Sequence, residues 1–461
     1  MKPNIVFILV DDMGYGDFSC INGGLSQTPS LDQLMTESVC FSQQYTASPV
    51  CNPSRACLMT GRYPHRTGSI DTLEWRGLER LALRETTLAQ VLKNAGYVTG
   101  LVGKWHLGAF DMRYHPMNRG FDETVCFRGG MHDYYNWRLE YDETVVRADG
   151  RYLTDVWTQE AVSFIERHQK EPFFLHLTFN APHTPLQAPE EDVRPFLEMG
   201  RYTKGVSTLY GMLRRMDAGV GRIMETLRSY GLEDNTLVLF TSDNGPQFGG
   251  EGENCLNRFN CQLRGAKCSV YEGGIRVPMI LRWPAGVEGS RESNVMIHSS
   301  DWFPTILSMV GVRLPHELRI DGVDISPVIR GEEGKTCTKR FWQWNRYTPL
   351  VTCNAAVRDG DWKLVRPTIP EAMACPCVDP WLRISMYEPE RLIQNGLLQE
   401  PEPERQIPDP PQPELYNIRE DPLEQSNLID QYPDVAHRLL CDLENWFEEV
   451  ERERATIPDV W

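Results

Sequence analysis

Short apolar runs, each followed by polar residues, recur along the first two thirds of the chain. The run Asn4–Val10 is almost wholly apolar and rich in β-branched residues. That composition is typical of a strand buried on both faces of a parallel sheet. Similar runs predict further strands at residues 97–102, 173–179, 237–241 and 279–282.

Helix-length segments separate these runs. In residues 154–168 the apolar stripe is Val156, Val162 and Ile165, and a longer helix is predicted at residues 208–230. The alternation of helix and strand predicts an α/β fold, with a large mixed, mostly parallel sheet sandwiched by helices.

The pattern changes beyond about residue 330. Residues 355–365 predict a β-hairpin, and residues 434–450 predict an amphipathic helix. We therefore divide the chain into a catalytic domain at residues 1–335 and a small C-terminal α+β domain at residues 336–461. The second domain is expected to be an antiparallel sheet with a helix packed on it.

Polar side chains follow the predicted strands where each one ends. Asp11 and Asp12 follow the first strand, Lys104 the second, His183 the third and Asp243 the fourth. Right-handed crossovers bring the carboxyl ends of parallel strands to one edge of the sheet, where ligands bind in open α/β sheets. These residues should converge there despite their separation in sequence.

The segment from Cys51 to Arg55 predicts the start of a helix. Pro53 suits a first helical turn, and Gly61 suits the residue after a helix end. Cys51 should therefore lie among unpaired backbone N–H groups and a partial positive charge, a place to bind an anion and activate a nucleophile. A low-pKa thiolate and a buried structural cysteine are the other interpretations.

Composition narrows the partners and the compartment. The net charge of −17 opposes binding of a long polyanion, so nucleic acid is not expected as a partner. The early run of residues 5–10 is too short for a signal-peptide core or a membrane span. We expect a cytoplasmic protein as given, or a periplasmic or secreted one if a leader was removed. The odd number of cysteines, thirteen, indicates reduced thiols.

Several motifs together resemble the type I, formylglycine-dependent sulfatases of the alkaline phosphatase-like superfamily. Order and spacing both fit, over almost the whole chain. The matching stretches are residues 3–12, the Cys51 motif, residues 103–106, Pro182-His183, residues 242–245, Lys267 with residues 272–274, and residues 415–422.

The resemblance implies a role for each matching residue. Cys51 would be oxidised by a formylglycine-generating maturation enzyme to 3-oxoalanine, whose hydrate is the nucleophile. This residue would bind Ca²⁺, or Mg²⁺, together with Asp11, Asp12, Asp243 and Asn244, and oxygen ligands suit either ion.

The remaining roles concern charge and protons. The resemblance makes Arg55, Lys104 and Lys267 the cationic donors to the formylglycine and sulfate oxygens. His183 would protonate the departing alcohol, assisted by Lys267, and His106 would take the proton that allows sulfate to leave.

Aromatic and polar side chains in residues 129–138 could stack on a sugar, although a packing insertion explains them equally well. We expect a sulfated saccharide, a galactose or N-acetylgalactosamine sulfate, cleaved at an exposed end. The candidate substrate-binding residues are Arg113, His115, His132, Trp137, Arg138, Trp344 and Arg346.

Three alternatives stay open. The same scaffold could serve a phosphonate or phosphate monoester hydrolase, because the nucleophile, metal and cations suit tetrahedral phosphorus almost as well. A general arylsulfatase would act on aryl sulfates without a saccharide preference. A non-catalytic binder of sulfated glycans would be expected to lack some of these residues, and all are present.

Overall fold

A computed structural model describes residues 2–250, 253–375, 379–394 and 402–458. The strands in chain order are β1 (Asn4–Val10), β2 (Val39–Tyr45), β3 (Val98–Lys104), β4 (Glu123–Phe127), β5 (Arg138–Tyr141), β6 (Thr144–Arg147), β7 (Phe173–Thr178), β8 (Thr236–Ser242), β9 (Gly249–Gly250), β10 (Glu253–Asn254), β11 (Arg276–Arg282), β12 (Arg291–Ser293), β13 (Ile297–His298), β14 (Lys339–Gln343), β15 (Ala355–Asp359), β16 (Trp362–Arg366) and β17 (Glu414–Asn417).

Helices flank these strands, and no described helix is long and apolar enough to cross a membrane. They are α1 (Ser19–Asn22), α2 (Pro29–Thr36), α3 (Cys51–Thr60), α4 (Pro64–Thr67), α5 (Leu88–Asn94), α6 (Leu153–His168), α7 (Glu190–Glu198), α8 (Lys204–Ser229), α9 (Glu272–Ile275), α10 (Trp302–Met309), α11 (Ser326–Ile329), α12 (Pro370–Met373), α13 (Asp379–Tyr387), α14 (Pro389–Gln394) and α15 (Pro433–Arg454).

One mixed sheet of eleven strands carries the N-terminal part of the protein. Its order is β12-β2-β11-β8-β1-β7-β3-β4-β5-β6, with β13 paired to β2. Strands β8, β1, β7, β3 and β4 are parallel neighbours. The predicted α/β fold with a mostly parallel sheet is confirmed, and the strands that precede the candidate residues lie side by side.

Strand β1 lies at the centre of the sheet because both of its faces are apolar. Val6, Ile8 and Val10 pack into a core with helices α2, α6 and α8. The alternate residues of β1 pack into a second core with α3, α5 and α10. A strand covered on both faces needs an apolar residue at every position, which explains its unbroken run.

Two features of this sheet are not predicted from the sequence. The segment before Cys51 contains strand β2, whose apolar pattern is interrupted by polar residues. Strand β11 is antiparallel to both neighbours, β2 and β8. Its amino end therefore lies at the same edge as the carboxyl ends of β1 and β8, and the Lys267 segment reaches the site from there.

A separate antiparallel sheet, β14-β15-β16-β17, forms in the C-terminal region. Helix α15 packs on one face through Leu439, Leu443 and Trp446. The other face packs through Trp342 and Tyr416 against Tyr45 at the end of β2. The predicted hairpin and helix are confirmed, whereas the boundary between residues 335 and 336 stays a prediction.

Candidate active site

Helix α3 begins at Cys51, as its sequence predicts. Its last residue is followed by Gly61 in the left-handed conformation, with φ of 69°, where a residue without Cβ is favoured. Cys51 is only 3% exposed, and burial raises the pKa of its thiol. The unmodified side chain is therefore a protonated thiol at neutral pH, and the low-pKa thiolate expectation is not met.

Three carboxylates meet beside Cys51 at the carboxyl ends of β1 and β8. Asp11, Asp12 and Asp243 are each 2% exposed or less. The backbone N–H of Asp12 donates to Asp243 Oδ1 at 3.3 Å, and Asn244 Nδ2 donates to Asp12 Oδ1 at 2.7 Å. Parallel pairing of β1 with β8 fixes this arrangement, because Val10 and Ser242 are register partners.

Three cations neutralise these carboxylates. Lys104 Nζ lies 2.6 Å from Asp11 Oδ2. Arg55, on the first turns of α3, lies 2.7 Å from Asp243 Oδ2. Lys267 Nζ lies 2.8 Å from Asp12. Buried charges of one sign are stable only when they are paired in this way.

The pKa values of the carboxyl groups are pushed apart. Burial alone would raise the pKa of Asp11, but the Lys104 ammonium and the other positive charges around this carboxyl, including Arg55 and Lys267, together more than offset burial and hold that pKa below its ordinary value. Burial and the neighbouring Asp11 charge raise the pKa of Asp243 to about 7. Such a divergence is typical of groups that exchange protons or bind a cation.

The donor set fits a hard divalent cation. Asp11 Oδ1 and Asn244 Oδ1 are buried and accept no hydrogen bond from any described residue. Asp11, Asp12 and His183 place ligand atoms within 4.8 Å of one another. Oxygen donors dominate the cluster, which favours Ca²⁺ or Mg²⁺ over a thiol-seeking metal.

Two histidines face the same site from different strands. His183 Nδ1 lies 2.6 Å from the carbonyl oxygen of Thr184, and its Nε2 lies 3.8 Å from Asp12 Oδ2. Burial and the Lys267 charge lower the pKa of His183. Burial and the Lys104 and Arg55 charges hold the pKa of His106 well below its ordinary value.

A cavity of about 550 Å³ opens above these groups. Cys51, His106, His183 and Lys267 all line it, with Arg346 reaching in from the C-terminal region. The structure thus brings the candidate nucleophile, the two proton-transfer groups and two cationic side chains, Lys267 and Arg346, to a single concave surface of the size usual for small ligands.

Six of the seven candidate substrate-binding residues do not line this cavity, which corrects that expectation. Arg113 is half exposed and paired with Asp111. The other five are buried and engaged elsewhere: His115 with Glu140, His132 against Phe127 and Tyr387, Trp137 with the Arg151 carbonyl, Arg138 with Glu140 and Glu390, and Trp344 against Arg346. The packing-insertion interpretation explains His132, Trp137 and Arg138, whereas Gly130 and Met131 of the same loop line the cavity.

Other residues of the cavity wall went unnoticed in the sequence. Thr72, Glu74 and Trp75 come from one turn, and Gln247 and Phe248 come from the loop after β8. Residues 247–248 closely follow the Asp243 motif in the sequence, and this proximity is the signal that could have placed their loop at the site. Residues 72–75 carry no motif and no periodicity.

Comparison with known proteins agrees with this geometry. A sulfatase family model matches residues 3–312, and a model described as N-sulphoglucosamine sulphohydrolase, C-terminal, matches residues 266–371. N-acetylgalactosamine-6-sulfatase of Canis lupus familiaris is 35% identical over 365 residues, covering 71% of this chain and 66% of that protein. The Mus musculus protein of that name is 36% identical over 361 residues, with the same coverage of each chain. The chain thus spans slightly less than two thirds of these relatives.

A solved structure resembles the whole chain. Ps i-CgsB, in complex with k-i-k-neocarrahexaose, has a TM-score of 0.79 and 30% sequence identity, covering 97% of this chain and 93% of that one. A mostly parallel sheet, with a cluster of buried carboxylates at the carboxyl ends of its strands and a helix start beside them, defines a member of the alkaline phosphatase-like superfamily. Within that superfamily, the chain belongs to the sulfatase family.

Proposed function

We propose that the protein is a sulfuric ester hydrolase that removes sulfate from a small saccharide. The observation that carries the proposal is the position of Cys51 at a helix N-terminus, beside three buried carboxylates and at the floor of a cavity. Arg55, Lys104 and Lys267 add the positive charge that an anionic ester needs.

The proposed substrate class is a galactose or N-acetylgalactosamine sulfate. The N-acetylgalactosamine-6-sulfatase relatives and the k-i-k-neocarrahexaose bound to Ps i-CgsB support this choice. With a net charge of −17, the protein favours a substrate bearing one or two charges over a long polyanion. Arg346, which lines the cavity while bonded to Asp71, is the candidate contact to the sugar.

Two groups beyond the twenty amino acids are part of the proposal. A Ca²⁺ or Mg²⁺ ion, held by Asp11, Asp12, Asp243 and Asn244, would supply Lewis acidity and neutralise the carboxylates. Cys51, converted to formylglycine by a maturation enzyme, would supply the nucleophilic hydroxyl.

The chain's own residues divide the remaining work. Lys104 Nζ lies 2.6 Å from Asp11 Oδ2, so it holds this carboxylate in place beside the sulfate site. Lys267 lines the cavity and stabilises negative charge on the ester oxygens. Arg55 keeps Asp243 oriented through two contacts, of 2.7 and 2.9 Å.

His183 is the proposed proton donor to the departing alcohol. Its Nδ1–H donates to the Thr184 carbonyl oxygen, which leaves Nε2 to carry the proton toward the cavity. We assign this nitrogen to proton transfer rather than to the metal because four oxygen-bearing side chains already surround the cation position. His106 is the proposed acceptor of the second proton.

A panel of esters tests the proposal. Defined 4- and 6-sulfates of galactose and N-acetylgalactosamine are compared with an aryl sulfate, a phosphate monoester and a phosphonate monoester. We expect the highest kcat/KM for one of the monosaccharide or disaccharide sulfates. A higher kcat/KM for the phosphonate would favour the alternative hydrolase, and preference for the aryl sulfate over every saccharide would reject the substrate class.

A further inference from the structure

The proposed reaction assigns no role to the carboxylate of Glu74. It lies in a 3₁₀ turn, Glu74–Arg76, and is 4% exposed. In the described part of the chain it is the one carboxylate in the wall of the cavity that Cys51 and Lys267 also line. An acid in a site built for anions opposes substrate binding unless it serves another group.

Glu74 is held firmly from two sides. The backbone N–H of Gly130 donates to its Oε1, and the side chain of Ser385, on α13, hydrogen-bonds to the same carboxylate. These partners come from distant parts of the sequence and meet only in the folded protein. The carboxylate therefore has a fixed position at the cavity wall.

The residue that Glu74 faces is His106. Oε1 of Glu74 lies 3.8 Å from Nε2 of His106. A Cβ atom at Gly130 would lie 2.7 to 2.8 Å from the imidazole ring and 3.0 Å from Glu74 Oε1. Glycine at position 130 thus permits the ring and the carboxylate to lie side by side against the backbone.

His106 is fixed through its backbone but not through its ring. Its carbonyl oxygen accepts a hydrogen bond of 2.6 Å from Asn52 Nδ2, next to Cys51, and its N–H donates to the Arg128 carbonyl oxygen. Both ring nitrogens are buried and without a hydrogen-bond partner among the described residues. A proton acceptor in catalysis needs one nitrogen bearing hydrogen and the other free, and a partner normally decides which.

We propose that Glu74 is a positioning residue for His106, accepting its Nε2–H so that the Nδ1 lone pair is the one presented to the reacting group. The separation of 3.8 Å shortens to a hydrogen bond by a small rotation of the ring, as such contacts commonly do when substrate binds. A proton taken from the reacting group arrives on Nδ1, Nε2 keeps its own proton, and the positive charge lies beside the Glu74 carboxylate.

This inference rests on the proposed function only for the role of His106, and its first test needs no turnover. The tautomer of His106 is read from ¹⁵N NMR of histidine-labelled protein that retains the Cys51 thiol, with His106→Gln to assign the signals. We expect the Nε2–H tautomer in the native protein. Glu74→Ala should shift the population toward Nδ1–H, and Glu74→Gln, which keeps an oxygen acceptor, should largely restore Nε2–H. A native Nδ1–H tautomer, or no change in Glu74→Ala, would overturn the pairing.

Kinetics on the best sulfate ester provide the second test. Glu74→Ala should lower kcat about 10- to 100-fold with little change in KM, the usual effect of removing an orienting partner, and Glu74→Gln should lose less. Gly130→Ala, which forces the ring away from the carboxylate, should resemble Glu74→Ala. Glu79→Gln is the matched control, since Glu79 is another buried acid of this region and bonds to the Ala109 N–H instead.

The two tests separate the possible failures. A raised KM for saccharides with unchanged kcat on an aryl sulfate and an unchanged tautomer would make Glu74 a sugar-binding group and overturn the proposal. Absence of turnover on every sulfate ester would reject the proposed function, while the tautomer measurement would still decide the Glu74–His106 pairing. Thermal melting of each variant confirms that it is folded.

Discussion

Lys104 Nζ lies 2.6 Å from Asp11 Oδ2, and neither side chain is exposed to solvent. The lysine ends strand β3, and the aspartate follows strand β1, two positions away in the sheet. A buried charge without its partner lowers the stability of the folded protein. Each residue of the pair therefore offsets the energetic cost of burying the other.

Removing one member of this pair should therefore destabilise the protein more than removing both. With chelator present, Lys104→Met should lower the free energy of unfolding by about 3 to 5 kcal/mol. Asp11→Asn combined with Lys104→Met should recover part of that loss while leaving turnover abolished. Urea unfolding measures the stabilities. A double variant no more stable than Lys104→Met would contradict the argument.

Metal removal should affect stability and rate together. Without a divalent cation, Asp11, Asp12 and Asp243 repel one another despite their lysine and arginine partners. Exhaustive chelation should lower both the melting temperature and kcat, and added Ca²⁺ or Mg²⁺ should restore both. Metal analysis confirms that the ion has been removed. If the melting temperature and the rate are then unchanged, the metal site is ruled out.

The proton-donor role of His183 predicts a dependence on the leaving group. His183→Ala should reduce kcat on a saccharide sulfate about 100- to 10,000-fold, since a poor alcohol leaving group needs the proton. An aryl sulfate should be affected far less. His168→Ala is a suitable control. His168 ends helix α6, just before strand β7 begins, so it lies at the opposite edge of the sheet from the cavity, where it pairs with Glu123. Equal reductions of kcat on the saccharide sulfate and the aryl sulfate would show that His183 is not the proton donor.

Glu79 provides a pH test of stability. Burial raises the pKa of this carboxyl to about 8, above its ordinary value, so the folded protein holds the proton more tightly than the unfolded chain does. Stability is therefore lost as pH rises through about 8, with a loss of about 1.6 kcal/mol between pH 6.5 and 8. Glu79→Gln cannot ionise and should lack this component. Parallel slopes of unfolding free energy against pH for the two proteins would contradict the assignment.

The sequence predicts the centre of the sheet well because periodicity reports burial on both faces. Strands β1, β3, β7 and β8 are mostly apolar and almost wholly buried, and each ends in or is followed by a polar residue that the structure places at the same edge. Strand β2 is not predicted from the sequence because Ser42, Gln43 and Gln44 interrupt its apolar pattern.

Side-chain direction limits what the sequence can reveal about substrate contacts. Trp137 and His132 have the composition of a sugar-binding loop, yet Trp137 is buried in the hydrophobic core and His132 is buried against Tyr387, far away in sequence. Glu74 shows the reverse, because its place in the cavity depends on Gly130 and Ser385. Only tertiary contacts distinguish the two cases.

The most direct test of the central claim is the release of inorganic sulfate by Cys51→Ala, beside Cys57→Ala as a control from the same helix. Both cysteines are buried in α3, but only Cys51 lines the cavity. We expect the Cys57 variant to retain turnover and the Cys51 variant to lose it while keeping its fold, because no neighbouring group can replace the nucleophile. Retention of more than about one hundredth of native kcat by Cys51→Ala, well above what loss of a covalent nucleophile leaves, would contradict the account.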